Sequence, residues 1–171
     1  MQEFRSLPGA NIRSKTYYLA RTEAKCWHCG VPTHLLALAV PNGHQTLDVD
    51  APLDSGQGSA PGAWHRAGCN AFLFFVESLS DEVQSRLSRI SQSFRLSYCA
   101  ATLNSYWANH CEHCAALLGD HELHCEFDCA FMPSSESNAA DIELVQVREP
   151  LEATAAGYAM EPEFFRFMSR G

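Results

Sequence analysis

The 171-residue sequence has no hydrophobic run long enough to cross a membrane. A transmembrane helix needs about 20 consecutive apolar residues, and the longest apolar runs here, residues 35–40 and 71–76, have the length of a strand. The opening residues, MQEFRSLPGANIRSKTYY, also lack the apolar segment of a signal peptide. We therefore expect a cytoplasmic protein that has no membrane span.

Motifs of several large enzyme families are missing as well. The sequence has no G-x-x-x-x-G-K-[ST] phosphate loop, no G-x-G-x-x-G dinucleotide fingerprint, no H-E-x-x-H zinc-protease motif and no G-x-S-x-G nucleophile elbow. Carboxylates are frequent from Asp120 onward, but no pattern pairs two of them as a general acid and a general base. These absences favour a binding protein over an enzyme.

Basic residues are scarce, with 12 Lys/Arg against 20 Asp/Glu and a net charge of -8. Residues 1–115 carry nine of each sign, whereas residues 116–171 carry three basic and eleven acidic side chains. An acidic surface repels the phosphates of nucleic acids and membranes, so the composition favours a protein partner. The alternative is a nucleic-acid-binding face that uses the basic residues of the N-terminal part, namely Arg13, Lys15, Arg21 and Lys25, beside Trp27.

Cysteine, by contrast, is abundant, and four of the eight cysteines form two similar motifs. The chain reads AKCWHCGV around Cys26 and Cys29, and ANHCEHCA around Cys111 and Cys114. In a cytoplasmic chain of this size, such cysteines are more typical of metal binding than of disulfides. Zn²⁺ prefers four thiolate or imidazole ligands in a tetrahedron, and each Cys-x-x-Cys motif supplies two. We therefore predict one structural zinc ion bound by Cys26, Cys29, Cys111 and Cys114.

The residues after the second motif leave a second zinc ion open as an alternative. His121 and His124, and Cys125 and Cys129, have ligand-like spacing. We favour a single ion because the sequence predicts a strand here, and neighbouring residues of a strand point to opposite faces. On such a strand, His124 and Cys125 do not easily reach the same ion.

A redox-active dithiol at Cys26 and Cys29 is the alternative that makes the chain an enzyme. The sequence CWHC resembles the active sites of thiol–disulfide oxidoreductases, in which the first cysteine caps a helix that stabilises its thiolate. A helix that began at Cys26 would meet Pro32 in its second turn, where proline costs about 3 kcal/mol. The sequence therefore favours zinc binding over redox chemistry.

The sequences CWHCG and CEHCA, each flanked by strand-like segments, resemble the paired knuckles of zinc-ribbon proteins. The likeness covers residues 16–40 and 105–127, and the chain departs from the pattern at Ala115, where a ribbon often has glycine, and in its long insertion. The chain also resembles small uncharacterised bacterial proteins with two such knuckles. The resemblance implies a structural metal ion and a binding surface.

Hydrophobic periodicity predicts an α+β protein. We expect a zinc-ribbon-like antiparallel β core made from two knuckle hairpins, one packed helix at residues 81–92 and an acidic C-terminal segment. Residues 1–133 are predicted to form a single zinc-binding domain, and residues 134–171 an acidic extension that packs on it or extends it. The remaining expectations are a loop at 42–63, a linker at 134–141, a short terminal helix at 161–168, and strands at 16–25, 34–40, 72–76, 94–98, 117–118, 123–127 and 142–147.

Aromatic residues cluster near both motifs. We expect at least half of them to belong to the core and the others to a protein-binding surface. The residues are Tyr17, Tyr18, Trp27, Tyr106 and Trp107.

Overall fold

The structure is a computed structural model, and it describes residue 4 and residues 7–47, 62–160 and 164–171. Strands predominate in these ranges, so the predicted α+β class is confirmed, with the sheets dominant. The strands are β1 (Ile12–Ser14), β2 (Tyr17–Lys25), β3 (Pro32–Val40), β4 (Gln45–Leu47), β5 (Trp64–Arg66), β6 (Ala71–Leu79), β7 (Phe94–Cys99), β8 (Asn104–His110), β9 (Leu117–Leu118), β10 (Glu143–Val147), β11 (Leu151–Met160) and β12 (Ser169–Arg170).

Short helices complete the described part of the chain. They are α1 (Asp81–Ile90), α2 (Asp120–His124), α3 (Glu136–Ala140) and a 3₁₀ helix at Phe165–Phe167. Helix α1 begins after Ser80 as predicted, but the Ser80 side chain makes no capping hydrogen bond. No helix within the described ranges is long and apolar enough to cross a membrane.

The strands form one large sheet and one small sheet. The large sheet has the order β12-β10-β2-β3-β6-β11-β1-β4-β5, and the small sheet has the order β7-β8-β9. Three strands separate β2 from β1, yet only Lys15 and Thr16 connect these two strands along the chain. Four strand spacings in a flat sheet amount to about 19 Å, whereas this connection reaches about 11 Å at most. The large sheet must therefore curl.

Strand β3 is buried on both faces, which explains why its sequence is a continuous apolar run. Leu36, Leu38 and Val40 point into one hydrophobic core, which also contains Val83 and Leu87 of α1. The alternate residues of β3 point into a second core with Phe131 and the C-terminal Phe165. The first knuckle, residues 26–29, lies at the opposite, more exposed end of β3, where it connects β2 to β3.

A buried polar side chain of the small sheet forms hydrogen bonds with β3. Asn109 of β8 is 1% exposed and pairs with both backbone groups of Leu36. Its Oδ1 accepts from the Leu36 N–H at 2.8 Å, and its Nδ2 donates to the Leu36 carbonyl at 2.9 Å. The side chain thus acts as an additional strand residue beside β3, and the second knuckle, residues 111–114, follows immediately after β8.

Several elements differ from the sequence prediction. Residues 123–127 are not a strand, because β9 ends at Leu118 and the chain turns into α2. The predicted linker contains α3, which is capped by the Ser135 hydroxyl accepting from the Asn138 N–H. Of the predicted terminal helix, only the 3₁₀ turn at Phe165–Phe167 lies in the described residues. Of the predicted loop at 42–63, residues 45–47 form β4 instead, because they pair with β1 and β5, and residues 48–61 lie outside the described part of the chain.

The acidic segment after residue 133 supplies three strands to the large sheet. Strand β10 pairs with β2, and β12 pairs with β10. Strand β11, which the sequence did not predict, lies between β6 and β1. The C-terminal residues therefore form part of the same sheet as the first knuckle.

Candidate metal centre

The two knuckles have the same local hydrogen bonds. In the first, Cys26 N–H donates to the Val31 carbonyl at 3.0 Å, and Gly30 N–H donates to the Cys26 carbonyl at 2.9 Å. The second repeats both bonds from Cys111 and Ala115, each at 2.9 Å. In each turn, the N–H two residues after the first cysteine also lies 3.4 Å from its Sγ. Each turn closes a hairpin, β2–β3 in the large sheet and β8–β9 in the small one.

Equivalent residues of the two turns have left-handed backbone conformations. Gly30 has φ of +72°, and Ala115, which occupies the same position after its cysteines, has φ of +59°. Glycine adopts this region without a steric penalty, whereas alanine is strained there by roughly 1–2 kcal/mol. The departure from the ribbon pattern at Ala115 therefore changes the residue but not the shape of the turn.

The four predicted ligands lie together. The sulfur atoms of Cys26, Cys29, Cys111 and Cys114 are all within 4.8 Å of one another. The Sγ–Sγ distances between Cys26 and Cys114 and between Cys29 and Cys111 are both 3.7 Å. A tetrahedron with metal–sulfur bonds of about 2.3 Å has edges of about 3.8 Å. The arrangement can therefore hold one metal ion.

The cluster is half enclosed by protein. Cys26 and Cys111 are 2% and 3% exposed, Cys114 is half-buried and Cys29 is exposed. The first cysteine of each knuckle thus belongs to the core, whereas Cys29 lies at the surface. A metal ion at this position would be anchored from within the fold and still be accessible to a chelator.

The thiols influence one another's ionisation. Burial raises the pKa of Cys111, but hydrogen bonds from the second knuckle's N–H groups and from Cys26 and Cys29 lower it to about 6 overall. A hydrogen bond from the Ala116 N–H lowers the pKa of Cys114, but burial and the neighbouring thiols raise it to about 12 overall. One thiolate therefore forms readily in the cluster, whereas the last one is opposed by its neighbours. A bound dication would remove that repulsion.

Contacts between the knuckles hold them face to face. The Trp27 indole donates to the Leu117 carbonyl at 3.0 Å, and His113 Nε2 lies 3.2 Å from the Pro32 carbonyl. Leu117 and Pro32 each lie three residues after the last cysteine of their own knuckle. Each knuckle therefore contacts the outgoing strand of the other, an approximate twofold relation.

A second set of contacts surrounds Glu112. Its N–H donates to the Thr33 hydroxyl at 3.0 Å, and its carboxylate lies 2.9 Å from His34 Nδ1. The hydrogen bond between the two side chains raises the pKa of His34 and lowers that of Glu112. Thr33, His34 and Asn109 are not among the residues predicted from the sequence. No local signal marks them, because each depends on a partner more than 70 residues away.

The residues of the predicted second zinc site are not brought together. Within the described residues, the four-cysteine cluster is the one group with metal-binding geometry. His124 is instead stacked between Phe74 and Phe131, at ring-centroid distances of 5.4 and 4.9 Å. His121 and Cys125 are exposed and Cys129 is half-buried. The alternation of a strand, on which the preference for one ion was based, does not apply, since His124 ends helix α2.

The aromatic residues near the knuckles are mostly core. Tyr17, Tyr106 and Trp107 are buried, and Tyr18 is half-buried. Trp27 alone of the five is exposed, at 72%. The first knuckle therefore presents a large aromatic ring to solvent.

Comparisons of the chain with known protein families, curated proteins and solved structures give no match. The likeness to zinc ribbons consequently rests on the two knuckles and the arrangement of their sulfur atoms.

Proposed function

We propose that the chain is a non-enzymatic cytoplasmic binding module held together by one structural Zn²⁺ on Cys26, Cys29, Cys111 and Cys114. The observation that carries the proposal is the sulfur cluster, in which all four atoms lie within 4.8 Å of one another and two of the distances, at 3.7 Å, match the edge of a tetrahedral tetrathiolate site. Four thiolates in a tetrahedron suit zinc or iron, and zinc needs no redox partner.

The donor set favours a structural ion over a catalytic one. A catalytic zinc ion keeps one coordination position open for water or substrate, whereas four cysteines fill all the positions of a tetrahedron. The ion would also join two hairpins that belong to different sheets. Removing it would leave the small sheet attached through the Asn109 pairing, the contacts between knuckles and the packing of Phe94 and Trp107 in the first core.

The two alternatives predicted from the sequence gain little support from the geometry. A redox dithiol is activated at a helix N-terminus, whereas Cys26 and Cys29 lie in a hairpin turn. For nucleic acid, the Arg21 guanidinium lies 3.8 Å from the Glu143 carboxylate, and Arg13 packs over the Trp64 ring. A protein partner therefore remains the preferred proposal.

Chelation tests the structural role of the ion. A strong chelator should remove one equivalent of zinc and abolish most of the native circular dichroism, since structural zinc sites contribute on the order of 10 kcal/mol. Cys125→Ser is the matched control, because Cys125 is exposed and outside the cluster; it should keep the metal. An unchanged spectrum and melting temperature after complete metal removal would refute the structural role.

A further inference from the structure

A cavity of about 550 Å³ opens beside the first knuckle. It lies between the end of β2, strand β9 and the segment 119–130 that contains α2, and the turn after β7 also lines it. Small-molecule and side-chain pockets in proteins typically have volumes of about 300–1,000 Å³ and mostly apolar walls. The metal cluster does not line it, so the cavity is a separate feature of the same face.

Two exposed aromatic rings line this cavity. Trp27 is 72% exposed and Phe127 is 88% exposed. The Trp27 ring is nevertheless fixed, because its N–H donates to the Leu117 carbonyl at 3.0 Å. A large exposed aromatic side chain that is already ordered loses little entropy on binding and is a frequent energetic anchor of protein interfaces.

The inner wall is rigid. The rings of Phe75 and Tyr106 meet edge to face at 5.2 Å, and both line the cavity. Phe75 has a left-handed backbone with φ of +49°, and its N–H donates to the buried Asp120 carboxylate at 2.6 Å. Phenylalanine rarely adopts this conformation, so the backbone of β6 is strained at Phe75. The hydrogen bond to Asp120 holds Phe75 in place in the cavity wall.

The charges around the cavity are mainly negative. Its lining contains three carboxylates and one lysine, namely Glu122, Glu126, Asp128 and Lys25. Asp128 accepts hydrogen bonds from Ser134 and Asn138, which are neutral donors and leave its charge in place. Glu126 lies 3.8 Å from His121. An acidic rim around an apolar, aromatic pocket is complementary to an alkyl chain that ends in a cation.

We propose that this cavity receives a lysine or arginine side chain from a basic, apolar segment of a partner protein. The alkyl stem would contact Trp27 and Phe127, and the cationic end would be close to Glu122 and Glu126. The inference deepens the proposed function by naming the chemistry of the partner. It also links docking to the metal, because Trp27 lies between the ligands Cys26 and Cys29.

Selection from a phage-displayed library of random peptides tests the proposal without assuming a sequence. With zinc-loaded full-length protein as the target, the selected peptides should be enriched in Lys or Arg next to Leu, Phe or Trp. Trp27→Ala should weaken the binding of a synthetic selected peptide about 30-fold, the change typical of an interface anchor. Tyr98→Ala is the matched control, because Tyr98 is 61% exposed and does not line the cavity; it should have no effect.

The charge requirement is tested separately. Glu122→Gln together with Glu126→Gln should weaken the same peptide about tenfold at low salt and less at high salt. Acidic selected peptides, or binding that is insensitive to both the aromatic and the carboxylate substitutions, would overturn the proposal. Butylammonium competing as tightly as the peptide would also overturn it, in favour of a small-molecule site.

Failure of the docking proposal is distinguishable from failure of the zinc proposal. A protein that binds zinc but selects no basic peptide loses only the docking site. A protein that contains no metal but shows Trp27-dependent binding of basic peptides keeps the docking site and loses the structural zinc.

Discussion

The two knuckles have the same turn but different surroundings. The first joins the nine-residue strands β2 and β3 of the large sheet, whereas the second joins β8 to the two-residue strand β9 and then to α2. At the position after the first cysteine, one knuckle presents the exposed Trp27 and the other presents Glu112, which contacts Thr33 and His34. The hydrogen bonds and sulfur positions thus follow from the Cys-x-x-Cys pattern, while the residues between the cysteines determine what each knuckle contacts.

The difference suggests a division of roles. Glu112 and His113 of the second knuckle point at the chain of the first and fix the pair together. Trp27 makes one such contact and leaves most of its ring in solvent. The second knuckle therefore makes most of the contacts that join the pair, whereas the first leaves a large aromatic ring free for the proposed docking.

The largest expected effect is loss of a metal ligand, and it should be the same for both knuckles. Cys26→Ser and Cys111→Ser should each abolish stoichiometric metal binding and leave the chain largely unfolded, because the contribution of a structural ion, on the order of 10 kcal/mol, is similar to the whole stability of a domain. Metal analysis and circular dichroism measure this. If Cys26→Ser were metal-free and Cys111→Ser retained zinc, the two knuckles would not share one ion.

The next effect concerns a contact that attaches the small sheet to β3 independently of the metal ion. Asn109→Ala removes both hydrogen bonds to Leu36 and leaves a buried N–H and carbonyl unpaired, at about 1–3 kcal/mol each. Urea unfolding of the zinc-loaded protein should show a loss of about 3 kcal/mol. Asn109→Leu, which has a similar volume but makes neither hydrogen bond, controls for the cavity that alanine leaves. Wild-type stability in Asn109→Ala would mean that the metal ion and the packing of Phe94 and Trp107 hold the two sheets together without this side chain.

Helix α2 has no counterpart after the first knuckle, and its His124 should make the free energy of unfolding depend on pH. Burial lowers the pKa of His124 to about 3, so His124 is neutral in the fold and protonates more readily when unfolded. His124 therefore lowers the free energy of unfolding only below about pH 6.5. The decrease continues toward pH 3 and amounts to at most about 1.4 kcal/mol per pH unit.

Replacing His124 by an aromatic ring that does not titrate isolates this effect. His124→Phe should keep the stack with Phe74 and Phe131 and gain stability relative to the wild type as the pH falls from 6.5 to 4.5. Chemical unfolding of both proteins across this range gives the difference, in which other titrating groups such as Asp120 cancel. Parallel pH profiles would show that His124 is not neutral and buried in the folded chain.

A smaller effect is expected when the residue that follows the last cysteine of each knuckle is replaced by its counterpart in the other knuckle. Gly30→Ala should lower the free energy of unfolding by about 1 kcal/mol, because alanine is strained at φ of +72° although its Cβ would meet no atom within 4 Å. Ala115→Gly should raise it by up to about 1 kcal/mol, since relief of strain exceeds the entropy cost of glycine. Thermal unfolding of both variants measures the pair. Effects of the same sign would contradict the equivalence of the two turns.

The smallest effect concerns the surface contact between His34 and Glu112. Both side chains are partly exposed, so His34→Ala should cost no more than about 0.5 kcal/mol. Glu112 raises the pKa of His34, so the contribution is present below pH 6.5 and disappears as the pH rises past the folded-state pKa. Melting temperatures at pH 6 and pH 8, with His28→Ala as the control, test this sign. A larger loss at pH 8 would contradict it.

Local patterns predicted the parts of the fold that local physics determines. Strands β2 and β3 and the start of α1 at residue 81 were all identified from neighbouring residues, and so were the four clustered cysteines. Helices α2 and α3 were missed because each is five residues long and has no apolar periodicity to mark it.

Long-range pairing accounts for the larger omissions. Strand β11 contains many alanines and a glycine, which have low strand propensity, and its identity depends on pairing with β6 some 80 residues earlier. Asn109 likewise has no sequence feature that distinguishes it from other polar residues, because its role depends on its position beside Leu36 of β3. Such features require the sheet order, which a single sequence does not contain.

X-ray absorption spectroscopy of the protein purified without added metal tests the central claim most directly. The account predicts one zinc per chain with four sulfur neighbours at about 2.3 Å, and loss of that signal in Cys26→Ser and Cys111→Ser alike. A chain without metal that contains a Cys26–Cys29 disulfide, or a zinc ion with nitrogen or oxygen ligands, would contradict it.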